Sequence, residues 1–224
     1  DVERSRGLGD VYKRQATEVK IEKQVLDSWT IGGTDANKLV EGEWRKLYEI
    51  KKGIIKPDDL SEVFPVQLGI YTEKFNREWF EKQTGLTVKE MPTMMSKDVP
   101  FARANLDGIT SDDAVFEAKH VSPFTIKDVT NKYYPQVQHY MMVTGLASAY
   151  LCCIVGNSMQ KIFQIERDDD FIAKLLYAET YFVSMLKADI TPPDYIDFDS
   201  IDTNTKIEGD VELPTIEWFP PTQH

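Results

Sequence analysis

Between Leu106 and Lys119 the chain reads LDGITSDDAVFEAK, a run that gathers two carboxylates and an ammonium at one point. In AVFEAKH the residues Ala114, Phe116 and Ala118 alternate with Val115, Glu117 and Lys119. Strand side chains repeat every two residues, so Glu117 and Lys119 leave the same face. Asp107 precedes Gly108, and Ser111, Asp112 and Asp113 supply a turn, so a hairpin returns Asp107 to the side of Glu117. Two carboxylates placed this way can bridge a divalent cation. Glu-x-Lys alone is frequent on the solvated face of edge strands, so the surrounding elements have to carry the weight.

Stepping outward, Tyr133 to Gly145 (YYPQVQHYMMVTG) predicts a helix that buries Val137, Met141 and Thr144 and holds Gln136 near Tyr133 and Tyr140. Pro135 fits a first turn, where amides have no intrahelical partner. Upstream, Thr34 is expected to cap a helix that carries Leu39, Val40, Trp44, Leu47 and Tyr48 and ends near Gly53. A linker with Pro57 and Pro65 follows. From Val66 to Thr84 the apolar residues Tyr71, Phe75 and Trp79 predict an amphipathic helix stopped by Gly85, with Glu73 off the stripe on the side of Phe80. Strands are expected at Val88 to Met94, Phe101 to Ile109, Ala114 to His120, Ala147 to Val155 and Lys161 to Glu166. A last helix starts near Asp168 to Asp170, buries Phe171, Ile172, Leu175, Leu176, Phe182, Val183 and Leu186, and ends by Asp189. This alternation is that of an α/β domain, a central mixed sheet flanked by helices, without internal repeats.

Composition bounds the reading. With 224 residues and 42% hydrophobic content the chain can bury one substantial core. Its longest apolar run, Ala147 to Val155, falls far short of the roughly 20 residues of a membrane span, so no membrane association is expected. Cys152 and Cys153 are adjacent on a strand and point to opposite faces, which disfavours a mutual disulfide and points to a reducing compartment. The opening DVERSRGLGDVYKRQ has neither an apolar core nor a helical period and resembles read-through from vector or adapter DNA; residues 1–20 are set aside as a non-native or disordered leader. A net charge of −11 argues at first against a phosphate-rich partner. However, Asp189 to His224 holds nine acidic residues against Lys206 alone, so the body is nearly neutral. The expected layout is a single domain over residues 21–190 and an acidic, Pro-containing tail over 191–224, extended or loosely docked.

Taken in order, Asp107-Gly108, Glu117-Ala118-Lys119, Tyr133-x-x-Gln136-Val137-Gln138, Val143-Thr144-Gly145 and Ile165-Glu166-Arg167-Asp168 resemble the YqaJ-type viral recombinases, the lambda exonuclease branch of the PD-(D/E)xK nuclease superfamily. The similarity runs from about Trp29 to Leu186. It implies a restriction-endonuclease-like core and metal-dependent hydrolysis of DNA. Carried over by motif, Asp107 and Glu117 bind the metal, the main-chain carbonyl of Ala118 completes its shell, and Glu73 supplies a second-site or water-linked ligand. Lys119 matches the family lysine and Gln136 the first glutamine of QVQ; Tyr133 stands beside it as a substrate contact. Thr34 matches the small hydroxyl used on a terminal phosphate. Oxygen ligands of this kind favour Mg²⁺, with Mn²⁺ as substitute. One or two such ions acidify a water and clamp the attacking and leaving oxygens, while Lys119 offsets developing charge.

The implied activity is a 5′-to-3′ exonuclease on double-stranded DNA ends, serving phage-type recombination by single-strand annealing in the cytoplasm of a bacterial host. The implied partners are an annealing protein and further copies of the chain in a ring-shaped trimer. One departure is plain: where relatives carry an arginine ahead of the Gly-Gly-Ser/Thr segment, this chain has Asp27. A structure-specific or site-specific endonuclease of the same fold, and a non-catalytic DNA-end scaffold, are therefore alternatives. Intact Asp107, Glu117 and Lys119 weigh against the scaffold. Two cysteines fall short of the four needed for an Fe–S cluster.

Overall fold

The computed structural model describes Ser28 and residues 30–203. Two short helices, α1 (Gly33–Val40) and α2 (Trp44–Lys51), precede the long helix α3 (Phe64–Thr84). Strands β1 (Val88–Lys89), β2 (Met94–Met95), β3 (Arg103–Ala104), β4 (Gly108–Thr110) and β5 (Val115–Val121) follow. Helix α4 (Val129–Thr144) leads to β6 (Ser148–Val155), β7 (Met159–Glu166) and helix α5 (Asp169–Ala188). Five strands form one sheet in the order β1-β4-β5-β6-β7, and β2 and β3 form a separate ribbon.

The sheet is mixed for a simple reason. Tight turns join β4 to β5 and β6 to β7, which makes those pairs antiparallel, whereas β5 and β6 are parallel and need the crossover that α4 provides. Being central, β5 and β6 are covered on both faces and read as nearly continuous apolar runs. On one face Phe116 and Cys152 meet Phe80 of α3, with ring centroids of Phe80 and Phe116 5.1 Å apart. On the other, Val115, Leu151 and Cys153 pack with Val137 and Met141 of α4. A third cluster joins α1, α2 and α5 through Leu39, Trp44, Leu47, Leu175 and Phe182. The two cysteines are free, buried and in different clusters, as their adjacency requires.

Several sequence expectations are corrected. The helix expected from Thr34 to Gly53 is two helices, because Gly42 takes a left-handed φ of 83° and turns the chain; the N-cap is Gly32, and Thr34 lies exposed within the first turn. The strands expected over 88–94 and 101–109 are each divided between the main sheet and the ribbon. Helix α4 begins at Val129, so Pro135 is interior rather than in a first turn, and the helix is buried on nearly all sides.

The largest reversal concerns α3. Its Tyr71-Phe75-Trp79 stripe faces solvent, with Tyr71 81% exposed, while Asn76 and Phe80 are the buried residues. Periodicity locates a stripe but not the side it faces. Here strand carbonyls select the polar side: Asn76 Nδ2 donates to Cys152 O at 2.8 Å and Lys119 O at 3.2 Å. The helix still ends where expected, with Gly85 left-handed at φ 75°.

Past the expected domain end at 190 the chain keeps packing. Phe198 is buried against Phe171, with ring centroids 5.6 Å apart, Asp194 pairs with Arg45 at 2.5 Å, and the Tyr195 ring lies where a Cβ on Gly42 would stand. The leader at 1–20, Asp27, and the tail after Thr203 lie outside the described residues. Among the described residues no helix is long and apolar enough to cross a membrane.

Candidate active site

The middle strand presents Glu117 and Lys119 on the face covered by α4, two residues apart as the strand period requires. Glu117 is 2% exposed. Its Oε1 accepts from Lys119 Nζ and from Gln136 Nε2, the latter at 2.8 Å, while Oε2 is buried without a hydrogen-bond partner among the described residues. Burial pushes the Glu117 carboxyl up, against the pull of the Lys119 ammonium. For Lys119 burial works the other way. The charges of Glu117 and Asp107 outweigh it and hold the amine above its ordinary range.

Asp107 arrives through the expected hairpin. Gly108 pairs with Phe116 across β4 and β5, Asp113 closes the turn at φ 61°, and Asp107 Oδ2 accepts from Ala118 N at 2.7 Å. Gly108 is required there, because a Cβ would come within 2.4 Å of Val88 Cγ1. Burial raises the Asp107 carboxyl to about 7, and the neighbouring Glu117 charge adds to the shift; the Ala118 amide, Lys119 and Arg77 oppose it.

Helix α4 seats the amide and the two tyrosines. Pro135 contributes no N–H, and the next amide, Gln136 N, donates to Asn37 Oδ1 of α1 at 2.9 Å. Gln136 Nε2 also donates to Tyr140 Oη at 2.9 Å, and burial raises that phenol far above its ordinary range. Gly33 lets α1 approach, since a Cβ there would lie 2.7 Å from Gln136 Cγ. Lys119 Nζ stands 4.7 Å from the centre of the Tyr133 ring, so Tyr133 holds the lysine by a cation–π contact.

The other half of the Gln-Val-Gln motif is structural. Gln138 Nε2 donates to Glu166 O at 2.8 Å and its Oε1 accepts from Asp168 N at 2.9 Å. Asp168 caps α5 through Phe171 N and accepts from Tyr134 Oη. The Glu166-Arg167-Asp168 segment is thus a clamp that fixes α4 over the sheet.

From the opposite face α3 brings Glu73 to the rim. Its carboxyl is raised by partial burial and then by the Asp107 charge. One turn on, Asn76 holds the main chain of β5 and β6, and Gln160 Nε2 donates to Asn76 O at 2.7 Å. Arg77 Nη1 donates to Asp107 O at 3.4 Å. The sequence reading places Tyr140 beside Gln136 but not Asn37, Asn76 or Arg77. The last two lie at helical spacing from Glu73, a signal present in the chain once Glu73 is placed.

The donor set suits a hard divalent cation. Glu117 Oε2 is an orphaned buried oxygen, and the Glu117 charge raises the affinity of Asp107 for a proton as the Glu73 charge does that of Glu117, a repulsion that a cation would relieve. Among the described residues no three His, Cys, Asp or Glu side chains converge as they stand, so Glu73 remains outside the pair. Thr34 is also apart: it is exposed on α1, and the neighbouring Gly32 amide is already taken by Asp35 Oδ2 at 3.0 Å, itself paired with Lys51.

The chain is 28% identical over 189 residues to the uncharacterized protein YqaJ of Bacillus subtilis (strain 168), an alignment covering 76% of this chain and 59% of that protein. The chain therefore spans under two thirds of that relative. Among solved structures, an alkaline exonuclease (LHK-Exo) from Laribacter hongkongensis, also solved in complex with dAMP, superposes with a TM-score of 0.56 at 22% identity, over 75% of this chain and 87% of its own. A phage related exonuclease from Haemophilus somnus 129PT gives 0.52 at 13% identity, over 66% and 82%. At such identities the likeness establishes the fold, the restriction-endonuclease-like one. The YqaJ-like viral recombinase domain model matches residues 16–147, a stretch that takes in Glu73, Asp107, Glu117, Lys119 and Gln136, and by that match the chain belongs to this family.

Proposed function

We propose that the protein is a Mg²⁺-dependent deoxyribonuclease, with Mn²⁺ as substitute, that degrades double-stranded DNA from its ends in phage-type recombination. The observation that carries the reading is the uncommitted Glu117 Oε2 beside Asp107, with a charged lysine held at the same point. Asp107, Glu117 and the Ala118 carbonyl would hold the metal, with Glu73 as a second-site or water-linked ligand. A bound divalent ion supplies charge for the non-bridging phosphate oxygens and acidity for a water.

The chain's own residues do the rest. Gln136 fixes one Glu117 oxygen and leaves the other for the cation. The Ala118 amide fixes Asp107 in the same way. Lys119, gripped by Glu117 and Tyr133, keeps a proton on Nζ and offsets charge that develops on the phosphate. Tyr133, at the mouth of the site, contacts the substrate strand.

Polarity is read as 5′-to-3′, with Thr34 and the amides of the first turn of α1 receiving a terminal 5′ phosphate. Lacking an arginine fork, this pocket should show only a small phosphate preference. The 3′ single strand would pass to an annealing protein, and the chain would act as a ring-shaped trimer in the host cytoplasm. Digestion of 5′-labelled and 3′-labelled linear duplex beside a closed circle tests the reading. Progressive loss of one end label with an intact circle is expected. Rapid cutting of the circle would replace the exonuclease by an endonuclease.

A further inference from the structure

Arg77 joins two unlike partners. Its side chain is 12% exposed, and Nη1 reaches the main-chain carbonyl of Asp107. Nη2 pairs with Glu90, whose side chain is 73% exposed just beyond β1. One partner is main chain beside the carboxylate cluster; the other is an exposed acid facing water. The guanidinium charge is felt at Asp107 and at Glu73, four residues earlier on the same face of α3.

We propose that Arg77 binds a backbone phosphate of the DNA strand being cut, and that Glu90 is an internal anion which occupies the guanidinium until that phosphate displaces it. The inference rests on the nuclease reading above and adds to it a substrate contact. A planar guanidinium matches phosphate geometry, and charge-assisted contacts of this kind are strong. Glu90 is the exposed half of the pair, so its carboxylate is readily rehydrated when another anion takes its place on the guanidinium. The location supplies a reason as well. DNA entering this site meets the carboxylates of Glu73, Asp107 and Glu117, and the charges of Arg77 and Lys119 both act on Asp107. A purely structural staple between α3 and the end of β1 would instead need Glu90 for stability and would be indifferent to DNA.

Equilibrium binding of a fluorescein-labelled linear duplex to the full chain separates the two, measured by anisotropy in EDTA across a salt series, with thermal melts alongside. Glu90→Gln should bind more tightly than wild type by several-fold at low salt, with an unchanged melting temperature. Arg77→Gln should bind several-fold more weakly, with a slope of log Kd against log salt shallower by about one. Arg77→Lys should keep the slope, and in the Arg77→Gln background Glu90→Gln should no longer tighten binding. If Arg77→Gln fails to fold, the exposed Glu90→Gln change decides alone. Binding by Glu90→Gln equal to wild type, in a chain that still cuts linear duplex with Mg²⁺, would overturn the role of Arg77 and leave the nuclease reading intact. A wild-type chain that neither binds nor cuts duplex would overturn both.

Discussion

Gln136 Nε2 donates to Glu117 Oε1 at 2.8 Å, so a residue of the crossover helix decides which oxygen of the strand glutamate stays uncommitted. Partners that orient a metal ligand are typically worth 10- to 100-fold in affinity or activity. Gln136→Ala is therefore expected to lower Mg²⁺-supported cleavage by about tenfold or more, partly rescued at high Mg²⁺. A Mg²⁺ titration of the initial rate checks this, and a rate unchanged at every concentration would contradict it.

His139 and Glu179 form a fully buried pair, with His139 Nδ1 2.7 Å from Glu179 Oε1 and Nε2 2.9 Å from Arg103 O. Both neighbours are acceptors, so both ring nitrogens carry protons. Burial opposes that charge, but Glu179 outweighs it and holds the imidazole above its ordinary range. A group whose folded pKa is raised stabilises fully below its unfolded value and ceases to do so as pH climbs through the folded one. The melting-temperature advantage of wild type over Glu179→Gln should be largest near pH 6 and shrink in alkaline buffer. A constant or growing gap would refute the charged pair.

Asn76 ties α3 to the strands that carry the site, so Asn76→Ala removes the side-chain donor to the Lys119 and Cys152 carbonyls, while Gln160 keeps its bond to the main-chain oxygen at position 76. Each buried polar group left unpaired costs about 1–3 kcal/mol. The variant should lose about 2–4 kcal/mol in urea unfolding. A loss below about 0.5 kcal/mol, the level of an ordinary surface change, would show the link to be dispensable.

Legibility in the sequence divides along physical lines. The Asp107 hairpin, the Glu117 and Lys119 face and the Gln136 helix were readable, because strand period and turn chemistry are local rules. The caps at Gly85 and Asp189 were readable for the same reason. What failed was anything set by a partner. The direction that the α3 stripe faces is not legible, because apolar period alone cannot see that Asn76 finds Lys119 O and Cys152 O. Gly42 was read through because its turn is fixed against Tyr195, far along the chain. Arg77 and Asn37 act on main-chain groups of residues 30 and 99 positions away, which no local pattern encodes.

The solvent-facing stripe gives its own check. Phe75 and Trp79 stack on each other at 5.8 Å without joining the core. The double change Phe75→Ser with Trp79→Ser should leave stability within about 1 kcal/mol, as surface changes do. Phe198→Ala, outside the expected domain yet buried on Phe171, should cost about 3–5 kcal/mol. Urea midpoints for the two variants test the corrected packing together, and the reverse ranking would restore the original assignment.

The most direct test of the central claim is the initial rate of digestion of linear duplex with Mg²⁺ against EDTA, for wild type and for folded Glu117→Ala and Lys119→Ala chains. Cleavage by wild type only with the metal, falling by roughly 10² or more in either variant, is the expected result. Equal rates in EDTA, or variants as active as wild type, would contradict a catalytic centre built on Asp107, Glu117 and Lys119.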